Sequence, residues 1–84
     1  MPRLRRLTAR DVLRLLGRHA FEVASIRGSH AKLARIGPSG TKETLVVSLH
    51  RQLTVGTVQA IYRQACRYIE EEAEEDLRSR FFAD

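Results

Sequence analysis

Residues 21–49 read FEVASIRGSHAKLARIGPSGTKETLVVSL, and this stretch decides the fold. Three runs rich in apolar and β-branched residues are separated by turn residues, namely Phe21 to Arg27, His30 to Ile36 and Thr44 to Leu49. Gly28-Ser29 is a dipeptide typical of tight turns, and Gly37 to Gly40 has the composition of a hairpin loop. The stretch therefore predicts three consecutive antiparallel strands.

A first helix is predicted before these strands, over Leu7 to Arg18. Thr8 is the expected N-cap, and Asp11, three residues later, is the acidic half of a capping box. One face of this helix is apolar and packs on the sheet, whereas arginines recur on another face, at Arg10, Arg14 and Arg18.

A second helix is predicted from Thr54, with an apolar stripe that reaches Ile69. No Gly or Pro interrupts the chain from Thr57 to Phe82, so we expect this helix to continue into the acidic segment Glu70 to Asp76. The predicted fold class is α/β in the α+β sense, with two layers in the order helix, strand, strand, strand, helix. Residues 1–69 would form the domain.

Residues 70–84 would form an acidic helical extension of that domain. A solvated helix end is the favoured interpretation of this segment. Folding over the basic surface, or self-association through its apolar residues, are the two alternatives.

Charge is unevenly distributed along the chain. Residues 1–69 hold thirteen Lys and Arg against three acids, whereas residues 70–84 hold two Arg against seven acids. Thirteen of the fifteen basic residues are Arg, whose planar guanidinium suits phosphate and stacks on bases. Nucleic acid is therefore the leading partner class, and a solvated basic surface is the alternative.

Several other classes find no support in the sequence. No apolar run approaches the length of a membrane span, and the single Cys66 cannot form an internal disulfide, so we expect a cytoplasmic protein without membrane contact. The histidines and Cys66 are too irregularly spaced to predict a metal site. A phosphate-binding loop is missing as well, and we expect no metal and no small-molecule cofactor.

Strand alternation separates the residues of the second predicted strand into two faces. Ala31 and Leu33 would face the core, which leaves His30 and Lys32 on the open face, and the third strand places His50 on that face too. Cleavage of RNA through its own 2′-hydroxyl needs a proton acceptor, a proton donor and cations for the phosphate. His30 could transfer a proton, and the basic residues near it could supply the cations. An exposed histidine beside a turn is also compatible with no catalytic role.

The chain resembles the HicA family, the toxins of HicA and HicB toxin–antitoxin pairs, over about sixty residues. The matching pieces, in order, are Leu7-Thr8, Leu15-Leu16, Phe21-Glu22, Arg27-Gly28-Ser29-His30, His50, Leu53 to Val58, Ile61 and Gln64-Ala65. Three positions depart from the family pattern: Ala20 and Cys66 replace common glycines, and Val55 replaces a common proline.

The resemblance implies a double-stranded RNA-binding-like fold and cleavage of single-stranded mRNA without a metal. It places His30 at the catalytic position and implies a HicB-like antitoxin that covers the site. We expect the RNA-binding residues to be Arg27, Gly28, Ser29, Lys32, Arg35 and His50. The role of His50 stays open between helper and bystander. Two rivals stay open: a non-catalytic RNA-binding module on the same fold, and a partner protein that docks through its acidic helix.

Overall fold

A computed structural model of the protein describes residues 3–4, 6–69 and 71–83. The elements follow in the order β1 (Arg3–Leu4), α1 (Ala9–Gly17), β2 (Glu22–Arg27), β3 (His30–Ile36), β4 (Lys42–Ser48), α2 (Val55–Cys66), α3 (Glu71–Phe81) and β5 (Phe82–Ala83). The predicted α+β fold with a three-stranded antiparallel sheet is confirmed, because β2, β3 and β4 pair in that order.

Helix α1 begins with the predicted capping box. The Thr8 backbone N–H donates to Asp11 Oδ2 at 3.0 Å, and the Asp11 N–H donates to Thr8 Oγ1 at 3.1 Å. Two N–H groups that the first turn would leave unpaired are thereby satisfied. Because the cap fixes the first turn, Val12 and Leu16 face the sheet and are fully buried.

The end of α1 is a Schellman motif built around Ala20. The Phe21 N–H donates to the Leu16 carbonyl at 3.2 Å, and the Ala20 N–H donates to the Gly17 carbonyl at 3.1 Å. Ala20 takes the left-handed conformation, with φ of 69°. This is the conformation that a glycine adopts without strain, so the side chain of Ala20 costs about 1 kcal/mol.

The sheet places its residues as strand alternation predicts. Ala31 pairs with Val47 and Leu33 with Leu45, and all four side chains are buried on the face that meets the helices. His30 and Lys32 alternate with Ala31 and Leu33 on β3 and are exposed. We call the sheet face that carries His30 and Lys32 the open face.

The core lies between the sheet and the helices. It is a single cluster to which the three helices and strands β3 and β4 contribute, together with residues of the connecting segments: Leu7, Ala9, Val12, Leu15, Leu16, Phe21, Ala31, Leu33, Leu45, Val47, Leu53, Val58, Ile61, Ala65, Ile69, Leu77 and Phe81. The helices therefore form one layer on the sheet, and the open face forms the opposite surface.

The prediction of one uninterrupted C-terminal helix is wrong. Helix α2 begins directly after Thr54, which is its N-cap, but it ends at Cys66, and α3 starts separately at Glu71. The break turns α3 back onto the core, where Leu77 and Phe81 are fully buried. Burial of these two side chains contributes roughly 2 kcal/mol each, which outweighs local helix propensity.

Helix α3 is thus part of the core and not a solvated helix end. Glu70, where the predicted extension begins, lies outside the described residues. The sequence did not indicate β1 and β5, which pair antiparallel through Arg3 with Ala83 and Leu4 with Phe82. Among the described residues, no helix combines the length and the apolar character that crossing a membrane requires.

Candidate functional site

A two-residue turn presents the candidate site at the end of the β2–β3 hairpin. Arg27 and His30 are paired residues at the ends of the two strands, and Gly28 and Ser29 join them. Gly28 has φ of +59°, a left-handed value that suits the first position of a tight hairpin turn. The Ser29 carbonyl accepts from the Leu49 N–H at 2.7 Å, so the turn is also tied to the end of β4.

His30 is the first residue of the central strand β3 and lies on the open face between residues of the two outer strands. Its register partners are Arg27 on β2 and Ser48 on β4. In the next outward-facing row, Lys32 lies between Ser25 and Val46. His30 is exposed, and within the described part of the chain no hydrogen bond to its ring is formed. Both ring nitrogens are therefore accessible to a ligand.

Two shallow grooves meet at His30. One has a volume of about 450 Å³ and is lined by Arg27, Lys32 and Ser25. The other has a volume of about 470 Å³ and contains His50 together with the first turn of α2. Because His30 lines both grooves, the structure brings four of the predicted residues together: Arg27, His30, Lys32 and His50.

The first turn of α2 forms one wall of the second groove. Thr54 caps the helix by accepting from the Thr57 N–H at 3.2 Å, and Gly56 and Thr57 line the groove. Gly56 and Thr57 therefore lie in the capped first turn of α2. This arrangement also brings two hydroxyl groups, those of Thr57 and Ser48, into the groove that contains His30.

Gln64 is a groove residue to which sequence reasoning gave no role. Its Oε1 accepts from the Val46 N–H at 3.3 Å, and its Nε2 donates to the Val46 carbonyl at 3.4 Å. The amide thus occupies the edge of β4 where another strand would pair. The only signal in the sequence was its place in the family resemblance, because an isolated glutamine on a helix carries no pattern of its own.

Arg35 is not part of this assembly, and its predicted place among the RNA-binding residues needs correction. It alternates with Ala31 and Leu33 on the core side of β3, and its side chain is only 12% exposed. Its Nε donates to Glu43 Oε1 at 2.7 Å, and its two terminal nitrogens donate to the carbonyls of His19 and Tyr68. These partners occupy the guanidinium from three sides.

The titratable groups near the grooves offer no set of metal ligands. In the part of the chain that the structure describes, no three His, Cys, Asp or Glu side chains cluster closely enough to hold one metal ion. The side chains that line the grooves instead supply imidazole, guanidinium, ammonium and hydroxyl groups. Such groups transfer protons and bind phosphate.

Fold and site together define a small α+β protein whose sheet carries an exposed histidine between two cations. Residues 9–65 match the family model described as the HicA toxin of bacterial toxin–antitoxin systems. The match spans more than half of the chain, which therefore belongs to the HicA toxin family and has the role of the toxin in a toxin–antitoxin pair. Comparison with curated proteins and with solved structures found no match.

Membership has two direct consequences. HicA toxins are known as RNase-like toxins, and a toxin of this kind has an antitoxin as its partner.

The matched range covers α1 through most of α2 and includes every predicted site residue. Elements β1, α3 and β5 lie outside it, so they are additions to the part that the family model describes.

Proposed function

We propose that this toxin is a metal-independent endonuclease that cleaves single-stranded mRNA, with His30 as the catalytic proton donor or acceptor. The observation that carries the proposal is the position of His30: an exposed imidazole where two grooves meet, with Arg27 and Lys32 in one and His50 in the other. Family membership supports the same reaction class, because HicA toxins are RNase-like.

The reaction uses a nucleophile that RNA itself supplies. The 2′-oxygen attacks the adjacent phosphorus, so that the O2′–P bond forms and the P–O5′ bond breaks. One proton leaves the 2′-hydroxyl and another is delivered to the departing 5′-oxygen, which leaves a 2′,3′-cyclic phosphate and a 5′-hydroxyl. An imidazole can accept or donate such a proton near neutral pH. His30 serves in one of these two steps.

The remaining site residues bind and stabilise the phosphate. Negative charge increases on the phosphate oxygens as the new bond forms, and fixed cations stabilise that charge. Arg27 is the register partner of His30, and Lys32 follows on the same face, so both can reach a phosphate at the histidine. His50 supplies a second imidazole in the adjoining groove, whereas Gly28 and Ser29 contact RNA at the turn.

We further propose that the antitoxin is HicB-like and neutralises the toxin by covering the open face. Besides its cations, this face exposes Val46, whose surface is 49% accessible beside Lys32. Such a side chain can enter the apolar centre of a protein interface, and family membership implies an antitoxin as the partner. Coverage of His30 would then block access of RNA directly.

The decisive experiment compares the purified protein with His30→Ala on single-stranded RNA in EDTA. We expect the variant to lose at least about 100-fold in cleavage rate while it keeps its thermal stability and its affinity for 2′-O-methyl RNA. RNA with a single 2′-deoxy sugar at the cleaved position is the matched substrate control and should stay intact with the unchanged protein.

Two results would oppose the proposal in different ways. Full cleavage by His30→Ala would remove the histidine from catalysis. Tight binding by the unchanged protein without any cleavage would instead identify a non-catalytic RNA-binding module. In cells, we expect growth arrest on expression of the toxin, abolished by His30→Ala and relieved by a HicB-like protein.

A further inference from the structure

A basic groove lies between helices α1 and α3, on the side of the molecule away from His30. It has a volume of about 620 Å³ and is open to solvent along α1 and α3. Four arginines line it together with a single acid and a serine: Arg6, Arg14, Arg18, Arg80, Asp11 and Ser79. We call it the arginine groove. The cleavage site does not include it, because α1 packs on the sheet face opposite the open face.

Two acids adjoin the arginine groove, Asp11 and Asp76, and they offset only part of the charge of its four arginines. Asp11 caps α1: its Oδ2 accepts from the Thr8 backbone N–H, and its own backbone N–H donates to Thr8 Oγ1. Asp76 lies 3.9 Å from Arg18 and 3.5 Å from Arg80, so one carboxylate is shared between two guanidinium groups. Among the described side chains, Arg6 and Arg14 have no ion-pair partner. The groove therefore keeps an excess of positive charge.

The walls of the arginine groove are fixed by the core. Helix α3 is held by Leu77 and Phe81, which are fully buried, and Asp76 Oδ2 contacts His19 Nε2 at 3.2 Å at the end of α1. Because α3 lies beyond the range that the family model matches, Arg80 and Ser79 are contributed by the added helix. One wall of the groove, on α3, therefore lies outside the range that the family model matches, whereas the α1 wall lies within it.

The arrangement of the arginines suits a linear polyanion. Arg10, Arg14 and Arg18 recur every four residues, so successive Cα atoms of this stripe rise by about 6 Å along one helix face. Such a row matches a chain of regularly spaced phosphates better than one compact anion. Arginine also binds phosphate through two parallel hydrogen bonds, and its charge persists at all physiological pH values.

We propose that the arginine groove binds the phosphate backbone of the RNA substrate, at nucleotides beyond the point of cleavage; this inference rests on the proposed function. The molecule extends no more than 36 Å along any of its principal axes, which a single strand of about 20 nucleotides can span. A single strand that leaves the open face can therefore pass the edge of the molecule and reach the arginine groove. The groove increases affinity for long RNA and takes no part in the chemical step.

The experiment measures binding of 2′-O-methyl RNA, which cannot undergo 2′-hydroxyl cleavage. The double variant Arg6→Gln/Arg14→Gln is compared with Arg63→Gln/Arg78→Gln, which removes the same charge from exposed positions that do not line the groove. Each protein is titrated with RNAs of about 5 and about 20 nucleotides, of which only the longer can reach beyond one binding groove.

For the groove variant we expect roughly tenfold weaker binding of the long RNA and unchanged binding of the short one. The slope of log K against log salt should also decrease by about 1.4, as two lost phosphate contacts require. With cleavable RNA, KM for the long substrate should rise while kcat stays the same. Circular dichroism and thermal unfolding verify that both double variants remain folded.

Equal affinities of the groove and control variants for long RNA would overturn the proposal. So would a groove variant that binds RNA normally but loses affinity for polyglutamate, since the groove would then bind an acidic protein segment. A failure of the proposed function has a different signature, because the unchanged protein would then leave ordinary RNA intact whatever the binding titrations show.

Discussion

Arg35 and Glu43 form an ion pair across β3 and β4, with Arg35 Nε at 2.7 Å from Glu43 Oε1 and both side chains nearly excluded from solvent. The guanidinium also lies 4.7 Å from the centre of the Phe21 ring. Together with the carbonyls of His19 and Tyr68, these contacts join the sheet to the end of α1 and to the segment after α2.

Replacement of Arg35 should therefore affect stability before it affects RNA binding. We expect Arg35→Gln to lower the free energy of unfolding by about 3 kcal/mol, because Glu43 and two carbonyls lose their partner in a largely buried place. Lys42→Gln, an exposed charge one residue before Glu43, is the control and should change stability by less than about 0.5 kcal/mol. Urea unfolding measures both. Unchanged stability with weakened RNA affinity would return Arg35 to the RNA-binding residues.

Ala20 offers a stabilising substitution. Its φ of 69° strains a residue with a Cβ, so Ala20→Gly should raise the free energy of unfolding by about 1 kcal/mol. Ala60→Gly, at an exposed position within α2, is the control and should lower it by about the same amount through loss of helix propensity. Thermal unfolding distinguishes the two. Destabilisation by both substitutions would mean that Ala20 is not left-handed in solution.

The sheet and the open face could be predicted because both follow from local rules. Turn residues bound the strands, and alternation along β3 separates Ala31 and Leu33 from His30 and Lys32. The same rule placed Arg35 on the core side, but its charge favoured a surface role. The carbonyls that accept hydrogen bonds from Arg35 belong to His19 and Tyr68, which are distant in the sequence, so no local pattern could indicate them.

The break between α2 and α3 could not be predicted for the same reason, because distant contacts decide it. Helix propensity is a local property, and it favoured one continuous helix from Thr54 onward. The observed break after Cys66 depends on where Leu77 and Phe81 find apolar neighbours, which is a property of the assembled core. The arginine groove could not be predicted for the same reason, because Arg80 lies beside the α1 arginines only when α3 packs back onto the core.

Asp11 should make stability depend on pH in the acidic range. Its hydrogen bond from the Thr8 backbone N–H, and that with the Thr8 hydroxyl, lower the pKa of the Asp11 carboxyl, and nearby Arg14 contributes in the same direction. The charged form is thus favoured in the folded state. Its contribution is complete above the unfolded pKa of about 3.9 and is lost as pH falls through the lower folded pKa.

The test compares the unchanged protein with Asp11→Asn by urea unfolding at a series of pH values. We expect the variant to be less stable by roughly 1 kcal/mol near neutral pH, with a difference that decreases below about pH 4. Glu22→Gln, an exposed acid on β2, is the control. A difference that stays constant down to low pH would show that the charge of Asp11 does not stabilise the cap.

Gly28 connects the conformation of the turn with the function of His30. A Cβ built at Gly28 meets no atom within 4 Å, so any effect of a side chain there arises from its φ of +59° and not from a clash. Gly28→Ala should therefore lower the free energy of unfolding by about 1 kcal/mol or more. If the turn relaxes instead, the pairing of Arg27 with His30 is disturbed and RNA cleavage falls.

Gly56→Ala provides the matched control for this substitution. A Cβ at Gly56 also meets no atom within 4 Å, but Gly56 lies in the first turn of α2 without a left-handed φ. Alanine should there raise stability by up to about 1 kcal/mol. Unfolding is measured on both variants, and cleavage on Gly28→Ala, because Gly56 itself lines the groove at His30. Equal stability of Gly28→Ala and the unchanged protein, with equal cleavage, would contradict the left-handed turn that presents His30.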